Sequence, residues 1–174
     1  TYGIKTLIAN PCNNYGPNQF PEKFIPKMIF NILNNKPLPL YGRGKNVREW
    51  IYVKDNCEAL LKIFLNGKIG QSYNIGTGIK LKNIEIINKI LTVTKKNKIK
   101  IGKKVKINFV NDRPGHDERY SLNSNKIRKD INWKHKILIM EGLSKTVLWY
   151  TKNLNFFNKI SKTNITKRLG LKSW

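Results

Sequence analysis

The chain has 174 residues, enough for one domain with its own hydrophobic core, and carries 34 Lys and Arg against 10 Asp and Glu, a formal charge of +24. Such a charge points first to nucleic acid, but the cations are spread along the chain, and zinc-finger, leucine-zipper and aromatic RNA-binding patterns are missing. The two cysteines lack metal-ligand spacing and no apolar run is long enough to span a bilayer, so we expect a soluble cytoplasmic protein.

The first part of the chain predicts a strand, a loop and a helix. Residues 4–9 (IKTLIA) form a short apolar run typical of a buried strand, and the turn formers of residues 10–18 predict a loop after it. From Pro21 onward the apolar residues recur at helical spacing. Pro26 would then lie near the first turn of that helix, where a missing N–H group is tolerated.

The middle of the chain predicts two extended segments and a second helix. Residues 37–46 indicate a short extended piece followed by a glycine-bracketed turn, and residues 47–53 alternate as a strand. Asp55 is the expected N-cap of the helix that follows, because a short acidic side chain can accept hydrogen bonds from the first free N–H groups of a helix.

The rest of the chain continues the alternation. Residues 72–76 and 106–110 predict strands, Asn83 is the expected cap of a helix between them, and two helices are expected near 123–131 and 138–153. Strands that alternate with helices in this way indicate a mixed α/β fold.

Three loops, each following a predicted strand, carry groups suited to a phosphorylated ligand. Asn13 and Asn14 lie in the first loop, Tyr41 and Arg48 flank the second, and Arg113 lies in the third. Ligands of α/β folds gather at the carboxyl ends of strands, and guanidinium matches the geometry of phosphate. Arg48 and Arg113 would therefore bind a diphosphate together if their loops converge.

Each of these residues also has a purely structural interpretation. Arg48 would then pair with Glu49 or another surface acid, Arg113 would pair with a neighbouring aspartate, and His116 would be a structural histidine. From the residues alone, the interpretation ends at an α/β domain with a candidate site for a nucleoside diphosphate.

Four segments taken together resemble the dTDP-glucose 4,6-dehydratases, which belong to the extended short-chain dehydrogenase/reductases. They are NPCNNYGPNQFPEKFIP (10–26), PLPLYGRGKNVREWIYVKD (37–55), YNIGTGIKLKN (73–83) and DRPGHDERY (112–120). The resemblance covers the C-terminal half of that family. It implies the C-terminal part of an NAD-binding Rossmann-type fold together with a smaller mixed α/β substrate-binding domain.

The resemblance also implies a domain organisation and an activity. Residues 1–20 would be the last part of the Rossmann domain and its connecting loop, and residues 21–174 would mainly bind the sugar nucleotide. The NAD-binding half, the Tyr-x-x-x-Lys pair and the acids of the elimination are expected upstream, so no catalytic residue is expected here and the chain alone should be inactive. The parent enzyme is expected to be a homodimeric hydro-lyase that converts dTDP-glucose to dTDP-4-keto-6-deoxyglucose, for rhamnose and O-antigen synthesis.

Site residues follow from the resemblance by position. Asn14 matches a residue that contacts NAD. The positions that match substrate-binding residues are Asn13, Lys23, Phe24, Pro39, Leu40, Tyr41, Arg48, Asn83, Asp112, Arg113, Pro114, Gly115 and His116. Of these, Pro39 to Tyr41 would surround the thymine, the two arginines would bind the diphosphate, and residues 112–116 would close over the nucleotide.

Other interpretations stay open. The chain could belong to another NAD-dependent sugar-nucleotide epimerase or dehydratase that uses UDP or a different base, or it could be a short non-catalytic descendant. It could also be a basic module that binds nucleic acid, although an excess of Lys, Asn and Ile is what A/T-rich coding alone produces. We expect a dTDP-sugar, and neither nucleic acid nor a membrane, as the partner.

Overall fold

Strands and helices alternate along the chain, which confirms the expected mixed α/β class. The computed structural model describes residues 2–112, 114–158 and 160. Its strands are β1 (Ile8–Pro11), β2 (Asn13–Tyr15), β3 (Leu38–Tyr41), β4 (Val47–Tyr52), β5 (Ser72–Ile75), β6 (Lys80–Lys82), β7 (Ile107–Val110) and β8 (Arg119–Tyr120). Its helices are α1 (Phe24–Leu33), α2 (Val53–Asn66), α3 (Asn83–Lys96), α4 (Asn125–Ile131), α5 (Ile139–Lys152) and α6 (Leu154–Asn158).

The strands form three small sheets, and β4 is the centre of the largest. β4 pairs parallel with β2 and β8 and antiparallel with β6. The other two sheets are parallel pairs, β1 with β5 and β3 with β7. Most of these partners are far apart in sequence, so the sheets bring distant loops to common edges.

Two hydrophobic clusters lie on opposite faces of β4. Because successive side chains of a strand point to opposite sides, Trp50 and Tyr52 pack in the cluster that α1, α3 and α5 build, whereas Ile51 packs in the other. Ile29 of α1 and Ile90 of α3 are fully buried in the first cluster. The second cluster joins β1, β5, α2 and α4.

The expected strand at residues 4–9 is wrong at its beginning. Pairing with β5 starts at Ile8, and Ile4 lies exposed in irregular structure before it. The expected loop at 10–18 is also too long, because Asn13–Tyr15 pairs with β4 as β2. In both cases the partner strand, rather than local composition, determines where the strand lies.

The expected capping roles of Asp55 and Asn83 are also wrong. Helix α2 begins at Val53, and the buried carboxylate of Asp55 instead accepts the backbone N–H groups of Lys136 (3.1 Å) and Ile137 (2.9 Å). Asn83 is the first residue of α3 rather than its cap. By contrast, Pro26 is the third residue of α1, which confirms its place in the first turn.

Within the described ranges, no helix combines the length and the apolar composition that crossing a membrane requires. The same part of the chain holds no group of three or more His, Cys, Asp or Glu side chains arranged to bind a metal ion.

Candidate functional site

A cavity of about 270 Å³ lies at the meeting point of β2, α1, β3, β4 and the beginning of α3. The predicted site residues that line it are Asn13, Lys23, Phe24, Pro39, Leu40, Tyr41, Arg48, Asn83 and His116. Its other lining residues are Glu22, Lys27, Met28 and Trp50, which the sequence did not single out. The structure therefore brings together most of the predicted positions in one place.

Strand register explains why these positions converge. Asn13 of β2 pairs with Trp50 of β4, and Arg48 of β4 pairs with Leu81 of β6. Helix α3 begins directly after β6, so its first residue, Asn83, lies opposite Asn46, whose carbonyl accepts the Asn83 N–H group at 3.0 Å. One strand, β4, thus aligns the first predicted loop with the start of α3.

Arg48 is held at the wall of the cavity by backbone oxygens. It is 8% exposed, and its guanidinium donates to the carbonyl oxygens of Val47 (2.8 Å) and Asp117 (2.7 Å). Glu49 lies on the opposite face of β4, where its carboxylate accepts the N–H groups of Gly78 and Leu122. The alternative pairing of Arg48 with Glu49 is therefore not the arrangement that the structure shows.

The aromatic side chains form an apolar wall beside the cations. Phe24 and Trp50 stack with ring centroids 6.0 Å apart and an interplanar angle of 28°. Tyr41 meets the edge of the His116 ring at 6.0 Å. Trp50 thus belongs both to the core and to the cavity wall.

His116 connects the cavity to the third predicted loop. Its Nδ1 lies 2.7 Å from Oδ1 of Asp112, and only 7% of its side chain is exposed. Pro114 and Gly115 form an exposed turn that is not part of the cavity wall, and the positive φ of Gly115 (65°) is the left-handed conformation that glycine adopts without strain. Arg113 lies outside the described residues.

Both ends of this loop are anchored near the cavity. Before it, β7 pairs with β3 and the N–H group of Gly42 donates to the Val110 carbonyl (2.8 Å). After it, Asn46 donates to the Asp117 carbonyl (3.2 Å), and the N–H group of Val47 donates to Glu118 (2.7 Å). The loop at residues 111–116 therefore spans from the edge of β3 to the edge of β4.

Of the three buried amide oxygens that have no hydrogen-bond partner among the described residues, two belong to predicted site residues. They are Oδ1 of Asn83, in the cavity wall, and Oδ1 of Asn14, whose Nδ2 donates to the Cys12 carbonyl at 3.0 Å. Buried acceptors of this kind favour a bound donor. Asn14 does not line the cavity. It follows Asn13 in β2, and successive side chains of a strand point to opposite faces.

The electrostatics of the cavity favour an anion. Lys23, Lys27 and Arg48 line it, and Glu22, the one carboxylate among the described lining residues, lies 3.0 Å from the ammonium of Lys23. The nearby thiol of Cys12 is not a nucleophile at neutral pH, because burial raises its pKa to about 12. The arrangement is thus suited to holding an anionic ligand with an aromatic group.

The spacing of Lys27 and Trp50 from predicted site residues could have placed both in the site. Lys27 follows Lys23 by four residues on the predicted helix, and Trp50 follows Arg48 by two residues on the predicted strand. Each spacing places the second side chain on the same face as the first. The signal requires knowing which face of each element looks into the site.

A family model described as GDP-mannose 4,6 dehydratase matches residues 1–146. A probable dTDP-glucose 4,6-dehydratase of Sinorhizobium fredii is 43% identical over 175 residues, which cover 98% of this chain and 49% of that protein. The dTDP-glucose 4,6-dehydratase of Salmonella typhimurium is 41% identical over 161 residues, covering 92% of this chain and 45% of that protein. The chain thus spans about half the length of the curated relatives it matches.

Solved structures agree with this similarity. The dTDP-glucose 4,6-dehydratase of Bacillus anthracis in complex with NAD has a TM-score of 0.79 at 39% identity, covering 89% of this chain and 47% of that one. The corresponding protein of Streptomyces venezuelae, with NAD and TYD bound, has a TM-score of 0.81 at 39% identity, covering 90% and 47%. A UDP-glucose 4-epimerase of Thermotoga maritima has a similar TM-score of 0.79 at only 25% identity, covering 88% and 48%. The fold is shared by both enzyme classes, while the sequence is nearer to the dehydratases.

Proposed function

The chain belongs to the GDP-mannose 4,6-dehydratase family, and from this membership we propose that it forms the sugar-nucleotide-binding part of a dTDP-glucose 4,6-dehydratase. The parent enzyme would convert dTDP-glucose to dTDP-4-keto-6-deoxyglucose and water, in nucleotide-sugar synthesis for surface polysaccharide. The observation that carries the proposal is the convergence of Arg48, Tyr41 and Asn83 on one cavity. The greater identity to dehydratases than to the epimerase favours dehydration.

The roles proposed for the cavity residues follow their chemistry. Arg48 would bind the diphosphate, because its guanidinium is held in place by two carbonyls and loses little freedom on binding. The Pro39–Tyr41 segment would contact the thymine ring. Asn13 and Lys23 would contact the hexose, and the unpartnered oxygen of Asn83 would accept a hydrogen bond from the nucleotide.

The loop at residues 112–116 would close over the nucleotide. Its ends are fixed on β3 and β4, and His116 already reaches the cavity. Asp112 supports that position through its 2.7 Å contact with the His116 ring. We propose that Pro114 and Gly115 shape the turn so that Arg113 contributes the second guanidinium.

NAD is the cofactor that the family implies, and Asn14 is the residue of this chain that we propose to contact it. The buried Oδ1 of Asn14, which has no partner among the described residues, fits a hydrogen-bond donor of the cofactor. Bound NAD supplies hydride transfer. We propose that most of its contacts come from an upstream half of the protein and that this chain contributes binding rather than a catalytic residue.

The surface of β1 and α2 supports an upstream NAD-binding half. In the part of the chain that the structure describes, the β1–β5 sheet has two strands, which are parallel, and parallel sheets are normally covered on both faces. Beside it, α2 exposes Leu61 (57%), Phe64 (76%) and Leu65 (66%). We propose that β1, β5 and α2 complete the NAD-binding domain and that most of the chain after residue 20 binds the sugar nucleotide.

The proposal is tested by calorimetry on the full-length product of the gene that encodes these residues. We expect dTDP to bind more tightly than UDP, and dTDP-glucose to be converted to a product lighter by one water, detected by mass spectrometry. Tighter binding of UDP, with interconversion of UDP-hexoses, would replace the dehydratase with an epimerase. Salt-dependent binding of nucleic acid without binding of any sugar nucleotide would overturn the proposal. Sedimentation of the same product tests the homodimer that we also propose.

A further inference from the structure

The loop between β2 and α1, residues 16–23, has proposed ligand contacts at both of its ends. Asn13 and Asn14 lie in β2 shortly before this β2–α1 loop, and Lys23 and Phe24 lie where the loop enters α1. Asn13, Lys23 and Phe24 line the cavity. The conformation of the β2–α1 loop therefore determines how these two groups of residues are placed relative to each other.

A buried tyrosine of α5 holds the middle of the β2–α1 loop. The hydroxyl group of Tyr150 donates to the backbone carbonyl of Gln19 at 2.6 Å. The side-chain amide of Gln19 donates in turn to the backbone carbonyl of Asn14 at 2.8 Å. Tyr150 is fully buried and lies 131 residues from Gln19 in the chain. Two hydrogen bonds thus connect α5, the loop and β2.

The ring of Tyr150 is itself held by aromatic neighbours. It stacks on Phe157 with ring centroids 4.9 Å apart and an interplanar angle of 16°, and it meets Trp149 edge to face at the same centroid distance. Burial raises the pKa of the Tyr150 hydroxyl above its ordinary value, so the group keeps its proton and donates at neutral pH. Because packing already fixes the ring, the bond to Gln19 requires little further loss of side-chain entropy.

Tyr150 does not line the cavity, so its influence on a ligand would pass through the β2–α1 loop. The loop leads to Lys23, which together with Asn13 is proposed to contact the hexose. The residues proposed to bind the thymine and the diphosphate lie elsewhere, on β3 and at Arg48 of β4. A change in the loop should therefore affect the hexose more than the nucleotide.

We infer that Tyr150 is a positioning residue for the hexose of the sugar nucleotide, because its bond to Gln19 holds the β2–α1 loop in the conformation that brings Lys23 and Asn13 to the same cavity. This inference rests on the proposed function and extends it to a residue that acts through others. It predicts that loss of the Tyr150 hydroxyl weakens the binding of dTDP-glucose more than the binding of dTDP.

The test uses Tyr150→Phe in the full-length product, since this substitution removes the hydroxyl and keeps the ring. Steady-state kinetics gives KM for dTDP-glucose and the competitive inhibition constant for dTDP. We expect KM to rise about threefold to tenfold, the factor that corresponds to the net contribution of one hydrogen bond, while the inhibition constant for dTDP stays unchanged within error.

Tyr73→Phe is the matched control. Tyr73 is also fully buried, and its hydroxyl group is also bonded to the backbone, where it accepts the N–H group of Lys68 at 3.1 Å. It lies on β5 in the second hydrophobic cluster and does not line the cavity. We expect Tyr73→Phe to lower the melting temperature about as much as Tyr150→Phe does, and to leave both kinetic constants unchanged.

Gln19→Met is a second variant that does not depend on the folding of Tyr150→Phe. It removes the side-chain bond to Asn14 and keeps the backbone carbonyl that Tyr150 binds. KM for dTDP-glucose should rise again, with little change in the inhibition by dTDP.

Three results would overturn this inference alone: an equal rise in both constants, no rise in KM in either variant, or the same rise in Tyr73→Phe. If the unmodified protein neither converts dTDP-glucose nor is inhibited by dTDP, the proposed function fails and this inference fails with it.

Discussion

Arg48 and Glu49 are neighbours in sequence but lie on opposite faces of β4. Arg48 faces the cavity, while the fully buried carboxylate of Glu49 accepts the N–H groups of Gly78 (2.6 Å) and Leu122 (3.1 Å). Leu122 follows β8 closely, so Glu49 fixes the chain that leaves the loop at residues 111–116. The two residues thus serve opposite faces of β4: Arg48 lines the cavity on one face, and Glu49 supports the chain after the loop on the other.

Glu49→Gln should destabilise the protein by about 1.5–3 kcal/mol, because the amide offers one acceptor oxygen where the carboxylate offers two, and its NH₂ group would face a backbone donor. Urea denaturation of the full-length product measures the loss. Glu118→Gln is the control, because Glu118 is exposed and its backbone carbonyl, rather than its side chain, accepts the bond from Val47. If the two variants are equally stable, the hydrogen bonds to the Glu49 carboxylate make no net contribution to the free energy of unfolding.

Arg48→Ala should weaken dTDP binding by about 1.5–3 kcal/mol, the range for a hydrogen bond to a charged group. Calorimetry below the melting temperature of both proteins separates this loss from any unfolding caused by removing the bonds to Val47 and Asp117. Arg43→Ala should bind dTDP like the unmodified protein, since Arg43 is an exposed arginine of the neighbouring turn that does not line the cavity. If both variants keep full affinity, Arg48 does not bind the diphosphate.

Much of the fold was predictable because the apolar periodicity of the chain is local. The helices at Phe24–Leu33 and Ile139–Lys152 lie where the spacing of apolar residues predicted them. The failures occur where a distant partner overrides a local rule. Asp55 has the composition of a helix cap, but the N–H groups of Lys136 and Ile137 bind its carboxylate instead.

The candidate site was predictable for a different reason. Tyr41 and Arg48 were singled out because they follow or form strands and carry ligand chemistry, and both line the cavity. What local patterns cannot show is strand register. The pairing of Arg48 with Leu81, and hence the position of Asn83, depends on contacts between residues more than thirty apart in the chain. Lys27 was missed because its helix face becomes evident only once the cavity is seen.

The protein should lose stability in alkaline solution. Burial raises the pKa of Cys12 from 9.0 to about 12, so the folded state holds this proton more tightly than the unfolded state. The stability that results is fully present below the pKa of the thiol in the unfolded state, and it is lost as the pH rises toward the pKa in the folded state. The loss from this one group between about pH 9 and about pH 11 should be roughly 2 kcal/mol.

Urea denaturation at a series of alkaline pH values, with Cys12→Ala beside the unmodified protein, measures this effect. The variant should show a shallower decline, and part of the decline should remain because burial also raises the pKa of Tyr15 and Tyr150. Cys57→Ala, which removes an exposed thiol, should leave the slope unchanged. Identical slopes for Cys12→Ala and the unmodified protein would contradict the raised thiol pKa.

The apolar face of α2 should make the 174-residue chain associate when it is produced alone. Phe64 and Leu65 are 76% and 66% exposed there, and burying one such side chain contributes about 1.5–3 kcal/mol. We expect Phe64→Gln with Leu65→Gln to raise the solubility of this chain and to lower its binding of a hydrophobic dye. In the full-length product the same double substitution should lower the melting temperature, because it would remove contacts with the upstream half.

Phe109→Gln supplies the control, since Phe109 is a comparably exposed phenylalanine (58%) that lies on β7, away from α2. We expect this substitution to change the dye binding of the short chain and the melting temperature of the full-length product much less than the double substitution in α2 does. The opposite signs expected for the short and the full-length chains distinguish a covered interface from general surface hydrophobicity. A double variant that improves solubility and leaves the full-length melting temperature unchanged would mean that α2 faces solvent in the complete protein, and the proposed contact with an NAD-binding half would fall.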